Sequence, residues 1–353
     1  VSFALMSWGY QAHYLINARI SFSFNEEMEQ FLPWAPILEE HGADADKRKP
    51  YTPGESIKHY IDIDNYPGFL NEGCIPHSLD SVISIYGSEF VYDQGILPWA
   101  TLATFDSLTQ CFVRRDWNKA VLFAADLGHY VADGHMPLHI TANYNGGLSG
   151  NYGIHSRFES TMINTYIQQI SYPGDSIHFI YNVQDYIFNY IYENYVYVDS
   201  IIAADNYAQN LTGNSSSTQY TEALWQQTQH FTIPLFKKSS NTIASLMYTA
   251  WCLAGKPLIN NSGTRTLQTR DAFIVFPNPS NGNIHISLGD NLKDKGTVSL
   301  YNQDGQGIQN AFTPNLSIDF PDYQLISKKL QQGIYFVVVE NKGNKIVKKV
   351  VVL

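Results

Sequence analysis

Through the first 256 residues apolar side chains return every three or four positions, whereas over the last 80 they return every second one. That change of period is a change from helix to strand. Helical spacing covers segments 10–24, 77–86, 98–113, 117–135, 156–171, 178–195 and 222–254. Asp116 suits a helix N-cap, and Pro137 stands where a helix has already ended, because its ring removes a backbone donor. Loops rich in Gly, Asn, Pro and Ser separate these segments, notably at 143–153 and 210–218. A polar stretch at 260–270 reads as a linker. Beyond it, alternating runs at 272–276, 284–288, 298–301, 334–340 and 345–353 are divided by turn clusters such as Pro277–Gly282. The pattern predicts a mainly α chain: an all-helical domain over 8–258, a linker over 259–270 and a small C-terminal β-sandwich over 271–353.

Composition adds three constraints. No stretch approaches the roughly 18 apolar residues of a membrane span. The net charge of −10 is uneven, since residues 271–353 hold 8 Lys against 7 acidic residues. The whole deficit therefore lies in the helical part, which offers no electrostatic funnel for a long polyanion. Cys74, Cys111 and Cys252 form no C-x-x-C signature and allow at most one internal disulfide. Residues 1–7, Val-Ser-Phe-Ala-Leu-Met-Ser, are an apolar run ending in a small residue and read as the remnant of a secretory signal peptide.

The candidate chemistry lies in His and carboxylate spacing. His129 and Asp133 stand four apart in a predicted helix, as do His155 and Glu159, with His139 between the pairs. Four-residue spacing puts both side chains on one helix face, where they can grip one ion. One such pair is ordinary on a surface helix, but two within about 30 residues plus a third His point to metal. His13 and His59 are unremarked without that context. Imidazole and carboxylate without thiolate favour zinc, and the number of His argues against magnesium or calcium. More than four candidate ligands imply more than one ion.

Four motifs then carry a resemblance: Trp8-Gly-Tyr-Gln-Ala-His13; Lys58-His59-Tyr-Ile-Asp62; Leu127-Gly-His129-Tyr-Val-Ala-Asp133-Gly-His-Met-Pro-Leu-His139; and Gly153-Ile-His155-Ser-Arg-Phe-Glu159. In this order, over residues 8–256, they resemble the tri-zinc family that unites bacterial zinc-dependent phospholipase C with the single-strand-specific zinc nucleases. The resemblance implies one zinc on Asp46, His59, His129 and Asp133, and a second on His139, His155 and Glu159. It places a third on His13, the bridging Asp133 and the backbone amine and carbonyl of Trp8, which requires cleavage before Trp8. Asp44 stands as the alternative to Asp46, which fits related sequences better. In the implied mechanism a zinc-activated hydroxide attacks phosphorus, Asp46 orients the nucleophile or takes its proton, and Arg48 braces the phosphate. Asp62 or Asp64 is expected to accept a ring N–H from a liganding His, and Asn143 and Tyr144 to touch substrate.

The substrate signals diverge. The Trp8–His13 spacing resembles the nuclease branch, whereas Glu159 and the acidic charge favour a phospholipid substrate over single-stranded nucleic acid. The expectation is a phospholipase-C-like hydrolase, with a nuclease as the alternative and a non-catalytic zinc-stabilised surface protein as the third reading. At the C-terminus, Val275-Phe-Pro-Asn-Pro-Ser-Asn-Gly-Asn-Ile284, Gly333-Ile-Tyr-Phe-Val-Val-Val339 and 345–353 resemble the type IX secretion sorting domain. That implies the type IX machinery as partner, passage through a Gram-negative envelope, and a secreted or cell-surface product.

Overall fold

The structure, a computed structural model, describes residues 9–259 and, beyond them, 273–276, 280, 284–288, 297–303, 306–308, 312–316, 321–325, 330–341 and 344–352. Trp8, the seven residues before it and the expected linker at 260–270 lie outside the described residues. The chain forms two compact units, Val1–Ile259 and Asn260–Leu353. The first is helical and the second a β-structure.

The Trp117–Gly134 helix is the axis of the first unit. Every residue from Leu127 to Gly134 is buried, because the Tyr10–Arg19, Ala35–His41, Leu97–Arg114 and Thr218–Leu253 helices all pack on it. A helix covered on all sides cannot shed polar side chains to water, so its His and Asp need partners inside. One apolar core runs along this helix through Ala124, Leu127 and Val131 to Phe31, Phe112 and Trp251. A second core, built on Ile61, Tyr66, Trp99, Phe188 and Ile191, lies beside Tyr130 and Ile140. The cluster described below thus sits on elements fixed by two cores.

Asp116 caps the axial helix, accepting from the Lys119 N–H. Just before it, Arg115 closes the Leu97–Arg114 helix in the left-handed region, at φ 57°. A Cβ there costs about 1 kcal/mol, while glycine gives part of that back by loosening the unfolded chain. Arg115→Gly is therefore expected to raise stability by up to about 0.5–1 kcal/mol, read as a higher urea midpoint at unchanged slope.

Several elements differ from their expected form. The expected 156–171 helix breaks into a π-helix, Arg157–Met162, followed by the short turns Ile163–Tyr166 and Ile167–Gln169. The expected 178–195 helix starts only at Val183, where the Asn182 side chain caps it by accepting from the Asp185 N–H. A Tyr197–Thr212 helix was not anticipated. Its buried face includes Asp205, which breaks the apolar stripe. Cys74, Cys111 and Cys252 are all free.

In the second unit β1 (Phe273–Phe276), β2 (His285–Leu288), β6 (Pro321–Leu325) and β5 (Phe312–Leu316) form one sheet, in the order β1-β2-β6-β5. β4 (Gly307–Ile308), β3 (Thr297–Asn302), β7 (Gly333–Asn341) and β8 (Asn344–Val352) form the other, in that order. Every pairing within them is antiparallel. Ile284, just before β2, and Ile286 on it share a core with Leu300, Val337, Val339 and Val350 from the second sheet, which makes a sandwich. β5 and β6 escaped the sequence pattern because Pro314 and Pro321 demote them.

Candidate metal centre

Helical geometry alone places His129 and Asp133 one turn apart on the axial helix. The Tyr10–Arg19 helix crosses there, and the His13 ring stacks on His129 with centroids 3.7 Å apart. Such an approach needs backbone without side chain. A Cβ on Gly128 would lie 1.9 Å from Asn17 Oδ1, and one on Gly42 2.6 Å from Asn17 Nδ2. Asn17 Nδ2 donates to the Ala125 carbonyl, locking the crossing.

Asp133 is the hub. Its Oδ2 lies 3.0 Å from His59 Nδ1 and 3.3 Å from His129 Nε2, and its Oδ1 lies 3.1 Å from His139 Nδ1 and 3.6 Å from His13 Nε2. Asp46 Oδ1 is 3.5 Å from both His59 Nδ1 and His129 Nε2. On the far side, Glu159 Oε1 faces His155 Nε2 at 3.0 Å and its Oε2 faces His139 Nε2 at 3.3 Å. Three buried groups result, His13/His129/Asp133, Asp46/His59/His129 and His139/His155/Glu159, each with donor atoms within 4.8 Å of one another.

Tautomers decide what these contacts are. His129 Nδ1 donates to the Gly42 carbonyl at 2.9 Å, His139 Nδ1 to the His59 carbonyl at 2.9 Å and His155 Nδ1 to the Tyr144 carbonyl at 3.3 Å. In a neutral imidazole each Nε2 then carries a lone pair. Those lone pairs aim at carboxylate oxygens, and His129 Nε2 also meets His59 Nδ1 at 3.0 Å. Fully buried Glu159 Oε1 receives no hydrogen bond. Lone pair against lone pair in a buried site is repulsive, so positive charge must lie between them.

Protonation measures that demand. Burial opposes charge on His129, yet the Asp133 and Asp46 carboxylates outweigh it and push its pKa up to about 10. His139 is likewise opposed by burial, and Asp133 and Glu159 push it up to about 10. Burial and the neighbouring His129 hold His13 well below its ordinary value, as a neutral imidazole. A divalent cation supplies the same positive charge without protonating the ring nitrogens. The donor set fits such an ion, and the absence of thiolate from it fits zinc.

The two candidate aspartates lie in different surroundings. Asp46 is buried within the cluster, with Lys49 Nζ 2.7 Å away. Asp44 stands at the surface, paired with His41 at 2.5 Å and Lys47 at 2.8 Å. Arg48 is held by two acidic partners. Its guanidinium forks onto Asp126, with two contacts of 3.0 Å, and reaches Glu55 at 3.3 Å. Asp64 accepts from the Thr141 hydroxyl, the Ala142 N–H and the Tyr195 hydroxyl, pinning the loop after His139. The ring N–H groups of His129, His139 and His155 go to main-chain carbonyls instead. Burial and Asp64 together push the Asp62 carboxyl up to about 7. Asn143 spends its amide on Ser149 and the Leu148 N–H, whereas the Tyr144 ring stands edge-on to His155.

Glu55 went unremarked in the sequence. It is buried, accepts from Tyr130 at 2.5 Å and Lys58 at 2.8 Å, and lies 3.8 Å from His59 Nε2. Burial disfavours its charge, but His59, Lys58 and Tyr130 hold the carboxyl well below its usual range. The four-residue spacing of Glu55 and His59 was the available signal.

Fold and cluster together define a mainly helical unit with three buried groups of metal-ligand type, followed by an antiparallel β-sandwich. Residues 274–353 match the family described as the secretion system C-terminal sorting domain. That match supports type IX secretion and a secreted or cell-surface location, and no helix among the described residues is long and apolar enough to cross a membrane. No curated protein matches the chain. Among solved structures, an alpha toxin from Clostridium absonum shares 11% identity with it. An alpha toxin from an avian strain of Clostridium perfringens shares 12%. Each has a TM-score of 0.40 and covers 96% of this chain and 94% of its own. The chemistry of the site stands on its own geometry.

Proposed function

We propose that the helical unit is a zinc-dependent phosphodiester hydrolase of phospholipase-C type. The convergence of imidazole lone pairs on buried carboxylates carries this reading. One ion would be held by Asp46, His59, His129 and Asp133, a second by His139, His155 and Glu159, and a third by His13 and Asp133 with the main chain of Trp8. Zinc supplies Lewis acidity toward a phosphoryl oxygen and acidifies water at neutral pH. The protein's part is orientation. Carbonyls of Gly42, His59 and Tyr144 fix three imidazoles, Glu55 backs His59, and Asp46 orients the attacking water or takes its proton. Arg48, tied to Asp126 and Glu55, braces the turn that carries Asp46 rather than the phosphate.

Charge favours a lipid over a polynucleotide. Lys47, Lys49, Lys58 and Arg48, the basic residues around Asp46 and His59, are paired with Asp44, Asp46, Glu55 and Asp126. From Ile140 to Ile154, the loop beside His155 has no charged residue. A polyanion finds no unpaired cation on these segments, whereas an uncharged rim suits a zwitterionic lipid surface. The Tyr144 ring, available for base stacking, joins the Trp8–His13 spacing in favouring a nuclease.

The test pairs phosphocholine release from phosphatidylcholine with cleavage of single-stranded DNA, using the full zinc-loaded chain with and without chelator. Lipid turnover abolished by chelator, with DNA cleaved at least about tenfold more slowly, is the expected result. Faster DNA cleavage makes the protein a nuclease. Bound zinc with neither activity leaves a zinc-stabilised surface protein.

A further inference from the structure

The π-helix bears Glu159 and begins two residues after His155 at Arg157, which stands between the two in sequence. Arg157 spends its fork on four partners. Its Nε donates to the Tyr220 hydroxyl at 2.9 Å, its Nη1 to the Tyr152 carbonyl at 2.8 Å, and its Nη2 to the Asn151 carbonyl at 3.2 Å. The same Nη2 reaches both oxygens of Asp205 at 3.0 Å. Asp205 is fully buried on the Tyr197–Thr212 helix. It also accepts from Asn151 Nδ2 at 2.7 Å, from Gln209 Nε2 at 2.5 Å and from the Tyr220 hydroxyl. A buried carboxylate with this many donors is a rigid anchor, and breaking it leaves a half-buried Arg without its counter-charge.

Both ends of the anchor bear on one metal group. Tyr144, whose carbonyl receives His155 Nδ1–H, opens the loop whose other end, Asn151 and Tyr152, Arg157 holds. The loop is closed on itself by Asn151 N–H to the Gly146 carbonyl and Gly153 N–H to the Asn145 carbonyl. A π-helix is poorly stable alone and persists where its surroundings hold it. We infer that Asp205, through Arg157 and Tyr220, is the positioning residue for the His139/His155/Glu159 metal group and leaves the groups on His129 untouched. This rests on the metal reading proposed above.

The test is metal content of the full chain after zinc loading and dialysis, with cobalt(II) absorption as a second readout of ligand geometry. Asp205→Asn is expected to lose one equivalent, or to bind it about 10–100-fold more weakly, while keeping the rest. Combined with His155→Ala it loses nothing further; combined with His59→Ala it loses more. Tyr220→Phe, a milder change, weakens the same equivalent and decides the matter if Asp205→Asn fails to fold. Wild-type zinc content, affinity and cobalt spectrum in both variants overturn the inference, as does equal weakening of every equivalent in folded Tyr220→Phe. A wild-type chain that binds no metal refutes the metal reading itself and is told apart by that control.

Discussion

Replacing Asp133 by Asn is expected to lower phosphodiester hydrolysis by at least about a thousandfold and to strip zinc from the groups on His129. The substitution keeps shape and removes charge. Asp133 faces four imidazoles, two on each oxygen. Burial works against its charge, yet His129 and His139 hold it ionised, well below the usual carboxylate range. An amide offers one oxygen where two are needed, and its NH₂ group meets ring nitrogens with no negative charge to hold a cation. An ion stabilising the transition state by several kcal/mol, about 4 here, corresponds to about three decades in rate. Zinc content and phosphatidylcholine turnover at saturating zinc provide the measurement. A variant within tenfold of wild type refutes the hub role of Asp133.

The second large effect lies outside the ligands. Gly128→Ala places a methyl group 1.9 Å from Asn17 Oδ1, inside the helix crossing. Overpacking costs about 1–3 kcal/mol. Displacing Asn17 also breaks its bond to the Ala125 carbonyl, and a buried polar group left unpaired costs about 1–3 kcal/mol more. A total near 3 kcal/mol corresponds to a fall of roughly 6–12 °C in the melting temperature. Because His13 and His129 stack across the same crossing, zinc affinity is expected to fall too. Asn17→Ala in the Gly128→Ala background recovers part of the loss, a coupling that a double-mutant cycle reads directly. A melting temperature unchanged to within about 2 °C contradicts the steric account.

The contrast between Asp133 and Asp205 marks what a sequence can disclose. His129 with Asp133 and His155 with Glu159 were legible because helical spacing alone juxtaposes them. The axial helix and the β7–β8 hairpin were legible because burial, at helical period in one and on alternate residues in the other, writes itself into the apolar pattern. Asp205 was not, since a buried carboxylate in a mixed stripe looks like a solvated one until its Arg arrives from 48 positions away. Glu55 has the right spacing to His59, but they lie on a 3₁₀ turn without apolar periodicity, so nothing marked the pair. The partners of Arg48 were hidden for the reverse reason. A basic run suggests contact with phosphate, and only the fold reveals Asp126 waiting for it. The π-helix is invisible to any test of 3.6-residue period.

His155 is held by the carbonyl of Tyr144, and the phenol of that residue, partly exposed, stands edge-on to the same imidazole. These are separable possessions of one residue. A substitution at 144 replaces the ring and leaves the carbonyl, so the group displayed beside the centre can change without unsettling the histidine behind it. What the residue displays and what it holds in place thus reside in different atoms.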